Sequence, residues 1–229
     1  MMQPHLVFTL AATMAAMGDL AGHERRGTLL WPGRSAVLGL MGAAMGLRRG
    51  GDFAALDGLS LGVAVFDQGE GLRGYHTVET VPTAVARRPN ARPQALRVDP
   101  LRNNTTITLR DYRVGVLYGV AVWGGPLDAV CAALNAPTFT LYLGRKSCPL
   151  SAPPGARVVG AEGPEAALAQ VILPPWCRGR VATRFITDDD GTGGHTELRH
   201  DAPIDRQLWH FAPRRVAFRS VDIRPEAGA

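Results

Sequence analysis

"TTITLRDYRVGVLYGVAVW", Thr105–Trp123, is the stretch whose reading decides the fold. It is a long run of β-branched and aromatic residues, and bends or bulges are expected at Gly115 and Gly119. Downstream, "PLDAVCAALNAP" (Pro126–Pro137) reads as a helix with proline at its start, and Phe139–Leu143 as a strand that Gly144 ends. Upstream, the apolar period disappears between Val81 and Asn104, where Pro82, Pro89, Pro93 and Pro100 mark an excursion from a core. Before it come two strands, Leu59–Asp67 and Leu72–Glu79, and a helix, "AVLGLMGAAMGL", with Ser35 placed to cap it. A first strand, His5–Leu10, opens the chain.

The resulting order is the β-α-β-β-α-β of a ferredoxin-like (RRM-like) α+β fold over residues 1–150, with a basic thumb inserted at about 79–110. Residues 151–229 read as a smaller β-rich region. It has a helix near Glu165–Val171 and strands at Arg180–Thr187, His195–Arg199 and Arg215–Ile223. The acidic run "DDDGTGG" (Asp188–Gly194) suits a hairpin tip, because the later ligands of a calcium loop are missing.

Composition narrows the class. The 229 residues are 46% hydrophobic, which places the chain among folded globular proteins. A net charge of +5 favours an acidic partner, though weakly. Lys146 is the only lysine among 25 basic side chains; a GC-rich genome accounts for such an excess of arginine, and arginine's planar fork also suits phosphates and bases. Cys131, Cys148 and Cys177 are odd in number and lack metal-ligand spacing, so neither a disulfide framework nor a zinc site is expected. No metal or cofactor is expected. The apolar run Leu6–Met17 has no preceding lysine or arginine and is too short to span a bilayer, so the expectation is a cytoplasmic protein with no membrane contact.

Four motifs then fall in order: "WPGRSAVLGLMGAAMGL" (Trp31–Leu47), "GYHTV" (Gly74–Val78), "TLRDY" (Thr108–Tyr112) and "YLGRKSCP" (Tyr142–Pro149). Together they resemble the fifth family of CRISPR-associated proteins (RAMP superfamily), in the CasD form of type I-E Cascade complexes. The likeness runs from about Leu6 to Leu150 and thins beyond. "AATMAAMG" (Ala11–Gly18) departs from the family's usual G-P-L/M-Q-A-W-G, and Pro32-Gly33 stands where Pro-Thr is usual.

The resemblance implies an RNA-binding, non-catalytic ribonucleoprotein subunit for antiviral defence. It would hold the 5′ handle of the CRISPR RNA and cap a filament of backbone subunits. The large subunit would dock near the same end, and target DNA would be met only indirectly through the complex. The thumb would lean on the neighbouring backbone subunit and wedge the RNA.

The candidate RNA-binding residues follow. Arg34 and Ser35 sit at a helix start, where free N–H groups favour phosphate, or serve as an ordinary cap and a solvated arginine. Arg145, Lys146 and Ser147 offer donors in a loop closed by Pro149, the pattern of a phosphate clamp, with Cys148 a small buried residue. Tyr75 and His76 point to opposite faces of one strand, one expected in the core and the other toward RNA. Arg110 either meets RNA or pairs with a carboxylate. Arg87, Arg88 and Arg92, in the thumb, are solvated or add salt-dependent affinity.

Two other readings stay open. Some related fifth-family subunits cut precursor CRISPR RNA without a metal, and Tyr75, His76 and Lys146 could supply a base and a cation for that metal-independent endoribonuclease. A solitary RRM-like protein is the third reading, weakened by the lack of an aromatic-rich strand.

Overall fold

In this computed structural model the chain is built on one 20-residue strand, Asn104–Trp123. The structure describes residues 1–19, 22, 24–48, 50–82, 84–86, 92–188, 191, 194–206, 208 and 210–225, with Arg92 described in its backbone alone. In chain order the elements are β1 (Gln3–Ala15), β2 (Arg25–Arg26), α1 (Arg34–Ala44), α2 (Ala54–Asp57), β3 (Ser60–Asp67) and β4 (Glu70–Thr80). They continue with α3 (Arg92–Val98), β5 (Asn104–Trp123), α4 (Leu127–Asn135), β6 (Arg157–Ala161) and α5 (Pro164–Leu168). β7 (Ala182–Asp188), β8 (His195–Asp205) and β9 (His210–Ile223) complete the chain.

The strands join one nine-stranded sheet in the order β6-β1-β5-β3-β7-β9-β8, with β2 and β4 also paired to β5. Every pairing is antiparallel except β2 with β5. Residues beyond 150 therefore continue the same sheet.

β5 has two halves with different surroundings. From Val116 to Val122 it lies between β1 and β3 and is buried on both faces, so the sequence is a continuous apolar run. Val116, Tyr118, Val120 and Val122 enter the larger core, which holds residues of α1 and α4; Leu117 and Ala121 enter the smaller one, with α5. From Asn104 to Val114 the strand pairs with β4 as an arm whose β4 residues are exposed or half-buried, while β2 pairs with Leu109 and Arg110 and the end of β1 with Arg113 and Val114. Gly115, at φ +75°, sits where the halves meet, as a bend requires. Gly119 does not bend the strand. It stays in register with Thr9 and Ala64, and a Cβ there would lie 3.0 Å from Phe66 and 3.1 Å from Leu168.

Two further expectations are corrected. Phe139–Leu143 forms no strand, only a single bridge between Tyr142 and Pro149. The edge of β1 that it would fill is taken by β6, and its backbone turns elsewhere: Thr138 and Phe139 donate to Ala44 and Ala43, at the end of α1. The acidic run after β7 is not a hairpin tip, because β9 lies between β7 and β8. The hairpin of this region is β8–β9, and Asp188 turns to internal ion pairs.

Candidate nucleic-acid interface

The basic loop after Tyr142 is a tightly tied hook. Leu143 N–H donates to Cys148 C=O and Cys148 N–H to Arg145 C=O, both at 2.8 Å, while Ala16 N–H at the end of β1 donates to Leu143 C=O at 3.1 Å. Gly144 has φ +81°, and a Cβ on it would stand 1.7 Å from the Ala16 carbonyl oxygen, so only glycine lets the hook seat on β1. Cys148 is buried against Ala16 and Tyr112. Locked this way, Lys146 and Ser147 are exposed on a rigid support. Arg145 turns to the arm: its Nη1 donates to Tyr112 Oη at 2.6 Å, and its guanidinium lies 4.8 Å from the ring centroid.

Beside the hook runs an open groove of about 900 Å³. Its floor is the small-residue side of α1, Ser35, Gly39 and Ala43, one helical turn apart. Phe53, Phe139, Tyr142 and Phe211 add aromatic surface, and Arg48, Lys146 and Arg206 add positive charge. Arg206 lies 4.2 Å from the Phe53 ring centroid and forms a bidentate pair with Asp57, both contacts 2.6 Å. That pair fixes the start of the β8–β9 turn against α2. Cations beside aromatic faces are what a single-stranded nucleic acid requires.

On the arm, Arg110 and Tyr112 share the face of β5 that continues from the larger core. His76 belongs to this face: a Cβ on Gly74 would lie 3.2 Å from His76 Nε2 and 3.3 Å from Tyr112. Neither Tyr75 nor His76 is in the core. Tyr75 is 73% exposed on the opposite face and His76 is half-buried, because β4 stands outside both core clusters. Arg110 does not pair with Asp111, whose carboxylate is held by Arg25 and Arg73. These ties, the Arg73 hydrogen bond first, hold the Asp111 carboxyl below the usual carboxylate range. The buried Nε of Arg110 has no hydrogen-bond partner.

The start of α1 is used differently from the expectation. Gly33, not Ser35, is the N-cap, and the Arg34 N–H donates to Asp201 Oδ2 on β8 at 3.1 Å, so a carboxylate already occupies the helix start. The Arg34 side chain points inward. Its Nη1 meets Asp188 Oδ2 at 3.1 Å, and its Nη2 donates to the Asp57 and Leu59 carbonyls at 2.7 Å each. Arg214 bridges Asp188 and Asp201, at 2.5 Å and 2.6 Å. Burial pushes the Asp188 carboxyl above its ordinary value, against the pull of Arg214 and Arg34. Arg34 is therefore tied into the protein, while Ser35 is exposed on the groove.

The structure thus brings Ser35, Arg145, Lys146, Ser147, Arg110 and His76 to one side of the sheet, leaves Tyr75 on the other, and turns Arg34 inward. Arg87, Arg88 and the side chain of Arg92 lie outside the described residues. Arg48, Phe53, Phe139, Arg206 and Phe211 carry no local signal in the sequence, since they meet only when the β8–β9 hairpin folds back on α2; Tyr142 lies inside a motif, but its apolar neighbours read as strand. Among the described residues no group of three or more His, Cys, Asp or Glu could hold a metal ion, and no helix is long and apolar enough to cross a membrane.

Known proteins resemble this chain in sequence and in fold. The sequence profile of the CRISPR-associated protein family (Cas5) matches residues 5–217. The CRISPR system Cascade subunit CasD of Escherichia coli (strain K12) is 32% identical over 232 aligned residues, covering 93% of this chain and 94% of that protein. A chain of a CRISPR RNA-guided surveillance complex superposes with a TM-score of 0.71 at 24% identity, over 96% of this chain and 90% of that one. A Cas protein crystal structure superposes at 0.65, also 24% identical, over 97% and 98%. Both structures share the fold.

Proposed function

Because the chain belongs to the CRISPR-associated Cas5 protein family, we propose that it is the non-catalytic, RNA-binding subunit of a type I-E Cascade complex, holding the 5′ handle of the CRISPR RNA and capping the backbone filament. One observation carries this reading: a rigid hook exposing Lys146 and Ser147 borders a groove lined by aromatic rings and cations. The RNA lies in the groove, with phosphates on Lys146 and Arg48 and bases against Phe53, Phe139, Tyr142 or Phe211. It then passes Arg145 toward the arm face that holds Arg110 and His76. Ser35 and Ser147 contribute hydroxyl donors.

The partial sheet order β6-β1-β5-β3, all antiparallel, with α1 and α4 packed together, supports a ferredoxin-like framework for residues 1–161. The β4–β5 arm is the thumb, and Arg87, Arg88 and Arg92, which fall between β4 and β5 in sequence, add phosphate contacts. Its exposed outer face, Tyr75 with Ile107, suits a neighbouring backbone subunit, with the large subunit docking at the same end. Tyr75, His76 and Lys146 share no hydrogen bond or ion pair among the described residues, and Tyr75 and His76 face opposite ways, which speaks against a cleavage centre.

Purified protein incubated with end-labelled CRISPR repeat RNA in EDTA tests the reading. Intact RNA in a salt-sensitive shifted band is expected. Discrete cleavage, lost on substitution of Tyr75, His76 or Lys146, overturns it in favour of an endoribonuclease.

A further inference from the structure

A second basic and aromatic patch lies away from the groove, at the elbow where β3 becomes β4. β3 starts beside α2 and the groove at Ser60 and ends at Asp67, roughly 23 Å away at strand rise. Three arginines from separate parts of the chain converge on the Asp67-Gln68-Gly69 bend. Arg113 donates to the Gln68 carbonyl at 2.9 Å and also to that of Gly69. Arg180 pairs with Asp67 at 3.2 Å, and Arg184 donates to Gln68 Oε1 at 2.6 Å.

Beside them stands an indole on a rigid turn. Pro174 and Pro175 enter the turn, Cys177 N–H donates to Pro174 C=O at 2.8 Å, and Arg180 N–H to Cys177 C=O at 3.3 Å. Arg180, whose N–H closes the turn on Cys177, pairs with Asp67, which places the turn at the elbow. Trp176, at its centre, is 66% exposed, and Arg178 next to it is exposed. Arg113, Arg180 and Arg184 reach the bend, where Asp67 is the carboxylate paired with Arg180.

We propose that this elbow is a second contact for single-stranded nucleic acid, with a base stacked on Trp176 and its phosphates held by Arg178 and Arg184. An indole anchoring a protein interface sits in a core depleted of charge, whereas Trp176 is exposed on a turn that also carries the exposed Arg178 and Arg180. Arg113 lies on the face of β5 opposite Tyr112, so the elbow is on the other side of the sheet from the hook. The strand is either a continuation of the bound RNA or a separate strand of the same chemistry.

Tryptophan fluorescence distinguishes these sources, with the Trp176→Leu variant separating this indole from the other tryptophans. The chain is first bound to CRISPR repeat RNA, then titrated with short dT and rU oligonucleotides. Quenching that disappears in Trp176→Leu is expected. Its appearance with repeat RNA alone assigns the bound RNA; its appearance only on adding oligonucleotide assigns a separate strand. In the second case the variant binds oligonucleotide about tenfold more weakly. Arg178→Glu lowers the salt dependence of the same step. Retention of repeat RNA on filters by the wild type reads the groove by itself, so a failure there is distinguished from a failure at the elbow. Equal quenching in wild type and Trp176→Leu, in every arm, overturns the proposal.

Discussion

Gly33-Arg34-Ser35 and Gly144-Arg145-Lys146-Ser147 carry nearly the same chemistry, a glycine, cations and a hydroxyl at the edge of a regular element. The protein puts them to opposite uses. At α1 the arginine is drawn into the core by two carbonyls and Asp188, and Asp201 occupies the helix start. At the hook the backbone satisfies itself, and Lys146 and Ser147 are left at the surface. The difference lies in what the rest of the fold brings near each stretch. β7 and the β8–β9 hairpin carry carboxylates to the first, while among the described residues apolar surface and Tyr112 reach the second. A basic motif acts on a ligand only if the protein has not already supplied its counter-charge.

This contrast can be broken by substitution. Arg34→Ala removes a buried partner of Asp188 and strands two carbonyls, and a loss of about 3–5 kcal/mol in denaturant unfolding is expected. Normal stability with weakened RNA binding would reverse the assignment. Gly144→Ala forces a Cβ into the Ala16 carbonyl, so a loss of more than about 2 kcal/mol is expected, with RNA retention falling alongside. Phe53→Ala opens the groove wall and frees Arg206 from its stacked position; a several-fold fall in RNA affinity is expected from titration of the variant.

The smallest effect concerns the arm. Asp111 is held below its ordinary pKa, so its ties to Arg73 and Arg25 stabilise the arm above the ordinary carboxylate range. That contribution is lost as pH falls through the folded-state value. Protection factors of β4 amides, corrected for the intrinsic pH dependence of exchange, should therefore fall on acidification in the wild type and much less in Asp111→Asn. Identical pH profiles would remove Asp111 from the account.

Much of this was legible in the residues. The β-rich run Thr105–Trp123 marked a long strand with a bend at Gly115, and Tyr142–Pro149 marked the hook. The strand expected at Phe139–Leu143 was not, because its apolar pattern is met by packing under α1 while β6 takes the edge of β1. The groove was not legible either: Phe53, Arg206 and Phe211 are far apart in sequence, and only the return of the β8–β9 hairpin joins them. Arg34 misled for the converse reason, since its partners Asp188 and Asp201 lie more than 150 residues downstream.

The most direct test of the central claim is the salt dependence of repeat-RNA affinity for wild type and for Arg145→Ala with Lys146→Ala. If the hook clamps phosphate, the double variant binds more weakly at low salt, and its log–log slope is shallower by about 0.7 for each phosphate no longer neutralised. A folded double variant with the affinity and slope of the wild type would contradict the account.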